Sequence, residues 1–453
     1  MIQNKTYPHL IYIVTLMAAV TLLMGCGSSD PEVSYQKGGG ETAYTAPIMV
    51  SLRPQAFFTL IASRGTGSFT KTSIGLKAPQ SDFYVLAYRN GADAEDGLND
   101  GGDYSKTTSS DADGVYCLMD GGHQAIGQLA RLVNDSTGAM DLIDPETGNT
   151  TRRYYSKKYP MAPNDFYAYY TDDHKVSSSE VHRDKDQVYV DLTVDGAQDV
   201  MVGCAAPVTD SLMQQRYGKL TIAPDVRRQI VGIGKYSTLA AQHDVQPVID
   251  LKHVLTKIRF EAIAADTSAN QVCIRGITLT GCVGGRLVVA DKNTGNVGLH
   301  ANPAITGTLR LREPSPDGTT PGDYVGSDDR YQMHWADSLA QYTLMERPAV
   351  TLGESIMLPP ANSYKMGFDY YLFHPDEHGN IDYSKPHLFH SDYIISAPTD
   401  NAVSYDAATK QYIFRPGYEY VIRIACYGYK ECEVSASTTG WIKSENIEVD
   451  QDK

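Results

Sequence analysis

The sequence predicts a mainly β protein, and three observations carry that expectation. Apolar and polar residues alternate in several stretches. The clearest puts Ile258 and Phe260 on one side and Lys257, Arg259 and Glu261 on the other, the period of two of a strand with one buried face. Turn formers are abundant, with 39 Gly and 22 Pro in 453 residues, whereas long amphipathic helices are scarce. Tyrosine outnumbers the other aromatics, 31 against 10 Phe and 2 Trp; it suits exposed strands, where its ring packs and its hydroxyl stays hydrated. The length is comfortable for two domains, and 42% hydrophobic content supplies a sizeable core. A net charge of −15 argues against nucleic acid or an anionic membrane surface as partner, because phosphate binding needs a basic face.

Taken in order, residues 1–25 read as an export signal outside the fold. Lys5 makes the start positive, 10–24 is an uncharged apolar run, and Gly25-Cys26 ends it in the pattern of a lipobox. Cys26 is therefore the candidate lipidation site, and the protein is expected to be held in the outer membrane by lipid alone. A membrane-spanning anchor is the competing reading, but it needs about 20 apolar residues and this run is shorter. Residues 26–45, with Ser28, Ser29, Asp30, Glu32 and glycines at 38–40, form a flexible tether. Its acidic run is similar to signals that send lipoproteins to the cell surface.

Ile48, Val50 and Leu52 alternate as a first strand, expected to run over 48–61 with these three side chains facing a core. Residues 82–88 (DFYVLAY) form the next strand, and 91–113 an acidic surface loop whose spacing fits no EF-hand. Ile126, Leu129, Ala130 and Val133 have helical spacing and predict a short helix; 230–233 reads as strand-like. The division between an N-terminal domain (46–246) and a C-terminal one (247–453) falls near Gln246. Past it, a strand through Ile258 and Phe260 is followed by one that starts with Val272 and Ile274 inward, then resumes with Ile277 and Leu279 one residue out of phase. Gly276 sits at the slip, where a β-bulge would absorb the extra residue. Glycines at 281, 284 and 285 supply a turn into a third strand at 287–290, so the three are expected to form a β-meander. Residues 295–331 read as a long surface connection, and Phe368, Tyr370 and Leu372 as one face of a later strand.

Several of these stretches together resemble the fimbrillin-like family, the lipoprotein subunits of type V pili of anaerobic Gram-negative bacteria. His253, Thr256, Lys257, Ile258 and Phe260 match H-x-x-[TA]-K-[IV]-x-F, and Ile274, Gly276, Ile277, Leu279 and Gly281 match I-x-G-I-x-L-x-G. Residues 159–170 (YPMAPNDFYAYY) are similar to the family's P-x-x-x-x-x-F-Y-A-Y-Y strand, 198–201 to its Q-D-[LV]-M element, 356–360 to its L-P-[QP] turn, and 416–420 with Trp441 to its closing P-G-x-x-Y hairpin and terminal Trp. Tyr159 stands where Trp is frequent, and Gly203-Cys204 where Ala is usual.

The resemblance implies two transthyretin-like antiparallel β-sandwich domains in tandem, with one or two short helices. It implies a structural or adhesive pilus subunit, located at the cell surface in a fimbrium, with other pilus subunits as partners and host or bacterial surface ligands as further ones. Assembly in the family proceeds by donor-strand exchange: an Arg-specific protease removes the first strand, and a strand from another subunit fills the groove. Arg64-Gly65 is placed for that cut, with a solvated loop arginine as the alternative; Arg53 is poorer because Pro54 follows it. The tail after Trp441 interleaves Ile442, Ile447 and Val449 with Lys443, Glu445, Glu448 and Asp450. Such a tail is a poor groove-filler and favours a tip or accessory subunit over a stalk subunit.

Catalytic chemistry has little to stand on. HExxH, G-x-S-x-G and P-loop patterns are absent from the sequence, and 232–234 lacks the rest of a dinucleotide fingerprint. No enzyme activity, cofactor or metal is expected. The one dense cluster, His374, Asp376, His378, Asp382, His387 and His390, reads as a Pro-punctuated loop of hydrated groups, with zinc as the alternative. Beside Cys26 there are six cysteines; Cys426 and Cys432 are the most plausible local bridge, and buried reduced thiols the alternative. From another class, a cell-surface glycan-binding lipoprotein would use Tyr and Trp335 as stacking faces.

Overall fold

In the computed structural model the described residues are 46–439, apart from 55–81, 92–101, 109–115, 123–124, 135–138, 157, 173–174, 315, 317–321, 400–403 and 429–432. The segments carrying Cys26, Arg64, Gly65, Cys432, most of the acidic loop and the tail from Trp441 lie outside them.

The N-terminal half is organised by one sheet. In chain order it takes β1 (Ser51–Pro54), β2 (Asp82–Arg89), the short β3 (Cys117–Met119), β4 (Gln128–Asn134), β5 (Ala139–Ile143), β6 (Thr150–Thr151) and β7 (Asn164–Tyr170). It then skips β8 (Val181–Arg183) and β9 (Gln187–Thr193) and resumes with β10 (Met201–Ala205) and β11 (Val248–His253). β1 lies parallel to β11 and meets β5 antiparallel at Ser51–Ala139. The 7 strands β1-β11-β10-β7-β2-β4-β5 thereby close into a barrel-like ring. Its interior holds Ile48, Val50, Leu52, Phe83, Val85, Phe166, Ala168, Ile249 and Leu251. Where β10 crosses β11 a Cβ on Gly203 would sit 2.0 Å from the Asp250 carbonyl oxygen, so this close approach requires glycine.

Three helices add to the same core. α1 (Asp210–Tyr217) starts at Thr209, whose side chain accepts from the Leu212 amide, and buries Met213. α2 (Pro224–Ile233) opens on proline and stops at left-handed Gly234, φ 70°, and α3 (Thr238–Gln242) is capped by Ser237. The expected strand at 230–233 is thus the last turn of α2: Ile230 alone of those residues is fully buried. The helix expected over 126–133 is instead β4. Its period is two, with Gln128 and Ala130 buried and Ala130 opposite Leu142 of β5, while Leu129 and Val133 lie on the other face.

The remaining strands form three four-stranded sheets. β8 and β9 join β14 (Gly284–Asp291) and β15 (Gly298–Ala301). β12 (Thr256–Ala264) joins β17 (Val350–Leu358), β22 (Glu419–Cys426) and β23 (Glu433–Thr439). β13 (Val272–Cys282) joins β16 (Thr306–Arg310), β18 (Ser363–Pro375) and β19 (Ile381–Ser396). A small pair, β20 (Tyr405–Asp406) and β21 (Gln411–Tyr412), stands apart. The mainly β class is borne out. Ile258 and Phe260 of β12, Val272, Ile274, Ile277 and Leu279 of β13, and Phe368, Tyr370 and Leu372 of β18 all face one continuous core, as in a β-sandwich. The bulge is present, with the β13–β18 register shifting between Ile274 and Gly276.

The expected meander is not. β12, β13 and β14 follow one another in sequence yet enter three different sheets, with the 3-10 turn Thr267–Gln271 carrying the chain from β12 to β13. Nor is 295–331 a bare connection, because it contributes β15 and β16. The expected division near Gln246 does not coincide with a break in pairing: β11 belongs to the first sheet, and β14 pairs with β9 from Gly284–Thr193 to Asp291–Gln187.

β2 and β7 are buried on both sides. Phe83, Val85, Phe166 and Ala168 line the barrel, while Leu86, Tyr88, Tyr167 and Tyr169 belong to the second core. The expectation that tyrosine marks exposed strands fails here. Tyr88, Tyr104, Tyr155, Tyr167, Tyr169, Tyr236, Tyr364 and Tyr420 are almost fully buried. Most of their hydroxyls have internal partners: Tyr104 and Tyr167 share a hydrogen bond of 3.1 Å, Tyr167 donates to the Asp291 carbonyl at 2.7 Å, and Tyr364 to that of Pro359 at 2.7 Å.

Candidate functional site

The seat of the first strand is the feature with most to say about function. Ile48, Val50 and Leu52 alternate into the barrel and are 5%, 4% and 3% exposed, as the sequence predicts; residues 55–61 lie outside the described set. On one side Ser51, Leu52, Arg53 and Pro54 pair in parallel with Val248, Ile249, Asp250 and Leu251. On the other the segment before β1 meets an irregular stretch: the Ile48 amide donates to the Arg153 carbonyl at 2.8 Å and the Tyr155 amide to that of Ala46 at 3.2 Å. Between them Gln246 stands in for a strand. Its carboxamide oxygen accepts from the Met49 amide at 3.2 Å, and its nitrogen donates to the Pro47 carbonyl at 3.1 Å. Arg53 itself lies within the paired strand, opposite Asp250.

The energetics of the seat follow from its burial. Three aliphatic side chains contribute about 1.5–3 kcal/mol each, so the seated strand is worth roughly 5–9 kcal/mol as an upper bound. That is comparable with the whole stability of an ordinary domain, about 5–15 kcal/mol. An empty seat would also expose the edge of β11 over Val248–Leu251, a template for another strand, and free Ala139 of β5.

Two matched motifs meet beside this seat. His253 at the end of β11 shares a hydrogen bond of 2.9 Å with Asp199 of the Q-D-[LV]-M element, and both side chains are buried. Thr256 donates to the carbonyls of Phe414 and Arg415 at 2.8 and 3.0 Å, tying the start of β12 to the turn at Gly417. The polar side of β12 is less wet than its alternation suggests. Arg259 pairs with Glu419 at 3.0 Å and with Glu261, which also takes Arg423 at 3.0 Å. Lys257 lies 4.0 Å from Glu419, and burial lowers the pKa of its ammonium.

The histidine-rich cluster lies on a hairpin rather than a loop, on β18, β19 and the turn joining them. Among the described residues β19 pairs only with β18 in its sheet, and Leu388 and Ile394 on it are exposed. His374 and His387 touch ring to ring at 4.9 Å, and His390 is held by Asp369 at 2.6 Å and Asp392 at 3.2 Å. Asp376 accepts from the amides of His378 and Asn380, and Asp382 from that of Ser384, so both are engaged in turns. Among the described residues no three His, Cys, Asp or Glu side chains converge as metal ligands. Cys204, Cys273 and Cys282 are thiols, and burial raises the pKa of the first two. Trp335, the expected stacking face, carries Arg347 over its ring at 4.9 Å. No helix among the described residues is long and apolar enough to cross a membrane.

No protein-family model matches this chain, and no curated protein does. Solved structures do. A candidate cell adhesion protein from Bacteroides uniformis aligns over 88% of this chain and 99% of its own, with 13% identity and a TM-score of 0.38. The tip fimbrial protein Mfa3 from Porphyromonas gingivalis aligns over 88% and 100%, with 11% identity and a TM-score of 0.33. The fimbrial anchor protein Mfa2 from the same organism also aligns over 88% and 100%, with 9% identity and a TM-score of 0.28.

Gln246 is a position whose role the sequence does not reveal, and its removal tests the seat directly. Gln246→Ala leaves the Pro47 carbonyl and Met49 amide unpaired, a loss of about 1–3 kcal/mol. Hydrogen exchange of the amides over 48–52 should then accelerate by roughly ten- to a hundred-fold, with β7 unchanged; equal protection in both proteins would show that the carboxamide does not hold the strand.

His390 offers a second test. Hydrogen bonding to Asp369 and then Asp392 raises its pKa. A raised folded-state pKa means that its contribution is complete below the ordinary histidine value and fades as pH climbs through the higher one. The imidazole resonances of His390 should therefore titrate above those of a solvated histidine, and Asp369→Asn should bring the midpoint down.

Proposed function

We propose that this chain is a fimbrillin-like pilus subunit, exported as a lipoprotein, anchored through Cys26 at the outer membrane and assembled by strand exchange. The observation that carries the reading is the first strand. It closes the barrel with Ile48, Val50 and Leu52 inside, and it lies upstream of Arg64-Gly65, so one cut there would release strand and lipid together. The vacated seat, with the β11 edge open and a row of apolar pockets, is what β-augmentation requires. The matched motifs support the same reading through the contact of Asp199 with His253. In this reading the protein is no enzyme, and its fold is a variant of the tandem transthyretin-like arrangement with a first half closed by the strand to be removed. The charged residues interleaved with Ile442, Ile447 and Val449 after Trp441 favour a tip or accessory position. A glycan-binding lipoprotein is the second reading; with Arg347 over Trp335, it needs a site other than that ring.

Treatment with an Arg-specific protease tests assembly. Cleavage after Arg64 should yield a protein that stays monomeric alone and captures a separate pilin. Homopolymers that form on cleavage and fail when the tail beyond Trp441 is deleted would make it a stalk subunit instead, and resistance at Arg64 would remove strand exchange by this route. Replacing Cys26 by Ala tests the anchor separately: the variant should appear as soluble or unprocessed protein, whereas membrane fractionation at the processed size would contradict lipidation.

A further inference from the structure

The sheet β8-β9-β14-β15 carries a cavity of about 850 Å3, with Gln187, Asp191, Thr193, Arg286, His300 and Asn302 in its lining. The register sets its chemistry. Arg286 of β14 stands directly opposite His300 of β15 on one side and Asp191 of β9 on the other, so the three form a row across the sheet. Tyr189, one pleat along β9, props the arginine: the guanidinium lies 3.9 Å from the ring centroid. His182 stacks on the same tyrosine at 4.9 Å, nearly parallel, and its Nε2 lies 2.8 Å from the Asp191 carboxylate.

Arg286 is the unusual member. It is exposed, yet among the described residues it has neither an ion pair nor a hydrogen bond, although Asp191 is its cross-strand neighbour. The nearby carboxylates are otherwise engaged. Asp191 has His182; buried Asp291 accepts from the Asn293 amide at 2.7 Å and Asn296 at 3.2 Å; Asp184 accepts from the amides of Asp186 and Gln187 and feels the Arg286 charge without pairing with it. A planar fork of five donors, held in place by an aromatic ring, therefore lines an open hollow. That is the arrangement that binds a carboxylate through two parallel hydrogen bonds.

We propose that this hollow binds a carboxylate-bearing sugar, a uronic or sialic acid residue of a surface glycan, with Arg286 on the carboxylate and neighbouring amide and hydroxyl groups on the sugar hydroxyls. The volume lies within the range of small-ligand sites, about 300–1,000 Å3. Gln187, Thr193, Asn296 and Asn302 supply neutral donors and acceptors suited to hydroxyls. A neutral sugar held by ring stacking fits poorly, because the Tyr189 ring is already in contact with His182 and Arg286. The site adds a ligand to the pilus-subunit reading above and rests on that reading for its biological sense. Binding by the uncleaved monomer is nevertheless independent of processing and strand exchange, so the two can fail separately.

The test uses the full folded chain, uncleaved, with the lipidation cysteine replaced. It is titrated with three probes, a sialylated trisaccharide, a galacturonic acid trisaccharide and a neutral galactose trisaccharide, and with the methyl esters of the two acidic ones. At least one acidic probe should bind, with affinity falling roughly ten- to a hundred-fold on esterification, the size of a lost charge-assisted pair. Arg286→Met, which keeps the packing on Tyr189, should cause the same fall, while Arg286→Lys should retain part of the affinity. The variants' melting temperatures report that the sheet is intact. No binding of either acidic probe at millimolar concentration, equal binding of acid and ester, or unchanged binding by Arg286→Met in a folded protein would each overturn the proposal.

Discussion

The constraint on which this fold depends is ring closure. A sheet whose central strands β2 and β7 are buried on both faces must cover one face with other sheets and close the other around its own interior. The second core covers the outer side through Leu86, Tyr88, Tyr167 and Tyr169, and the barrel interior takes Phe83, Val85, Phe166 and Ala168. The closing element is one short strand and the irregular residues before it, bonded to β11 by a parallel ladder and to the far side through single bonds to Arg153 and Tyr155. A strong apolar grip is thus combined with a weak seam. The side chains hold the segment in place, while few backbone bonds on the β5 side resist its withdrawal. Gln246 reinforces the stretch where no strand lies alongside.

The same closure explains why the middle of the chain does not follow local rules. Consecutive strands usually pair when a short turn joins them, and the glycines between β13 and β14 suggest such a turn. Here β14 is drawn away to β9, because the outer faces of β2 and β7 need a cover that the N-terminal half cannot supply alone. Tyr167 shows the coupling in one residue. Its ring lies in the second core and its hydroxyl donates to the carbonyl of Asp291, at the end of β14. Tyrosine serves such positions because they are apolar for most of a ring's length and polar at its tip.

How much was legible in the sequence follows from the range of each signal. Period-two alternation found β12, β13 and β18 with their inward residues, and the phase slip at Gly276 found the bulge, since these depend only on neighbours along one strand; β2 was read as a strand without its faces, and β7 through the family motif over 159–170. The first-strand residues Ile48, Val50 and Leu52 were legible for the same reason. Short apolar runs failed in both directions. At 126–133 the helical spacing of Ile126, Leu129, Ala130 and Val133 misled, because the strand buries polar Gln128 and exposes Val133, and at 230–233 the apolar cluster outweighed Pro224 and Gly234, which mark the two ends of α2. Strand partners, the Gln246 clip and the hairpin position of the histidines were not legible. Each depends on contacts between residues far apart in sequence, which no periodicity encodes.

Electrostatics supplies the last step. In a chain of net charge −15, many arginines on the described surface sit against carboxylates. Arg259 and Arg423 take Glu261, Arg216 takes Asp250, Arg275 takes Asp329, and Arg330 takes Glu313. Such pairs add little stability each at the surface, but they neutralise the cations that an anionic ligand would otherwise meet. Arg286 departs from that pattern although a carboxylate stands directly across from it. The reason is local: His182 draws Asp191 toward β8, and Tyr189 draws the guanidinium onto its ring. Two ordinary side-chain preferences, acting in one row of a four-stranded sheet, leave a positive fork exposed in a hollow of an otherwise acidic protein. On the proposal above, an anionic ligand would meet a guanidinium whose donors are not already taken by a carboxylate, in a protein whose net charge otherwise disfavours anions.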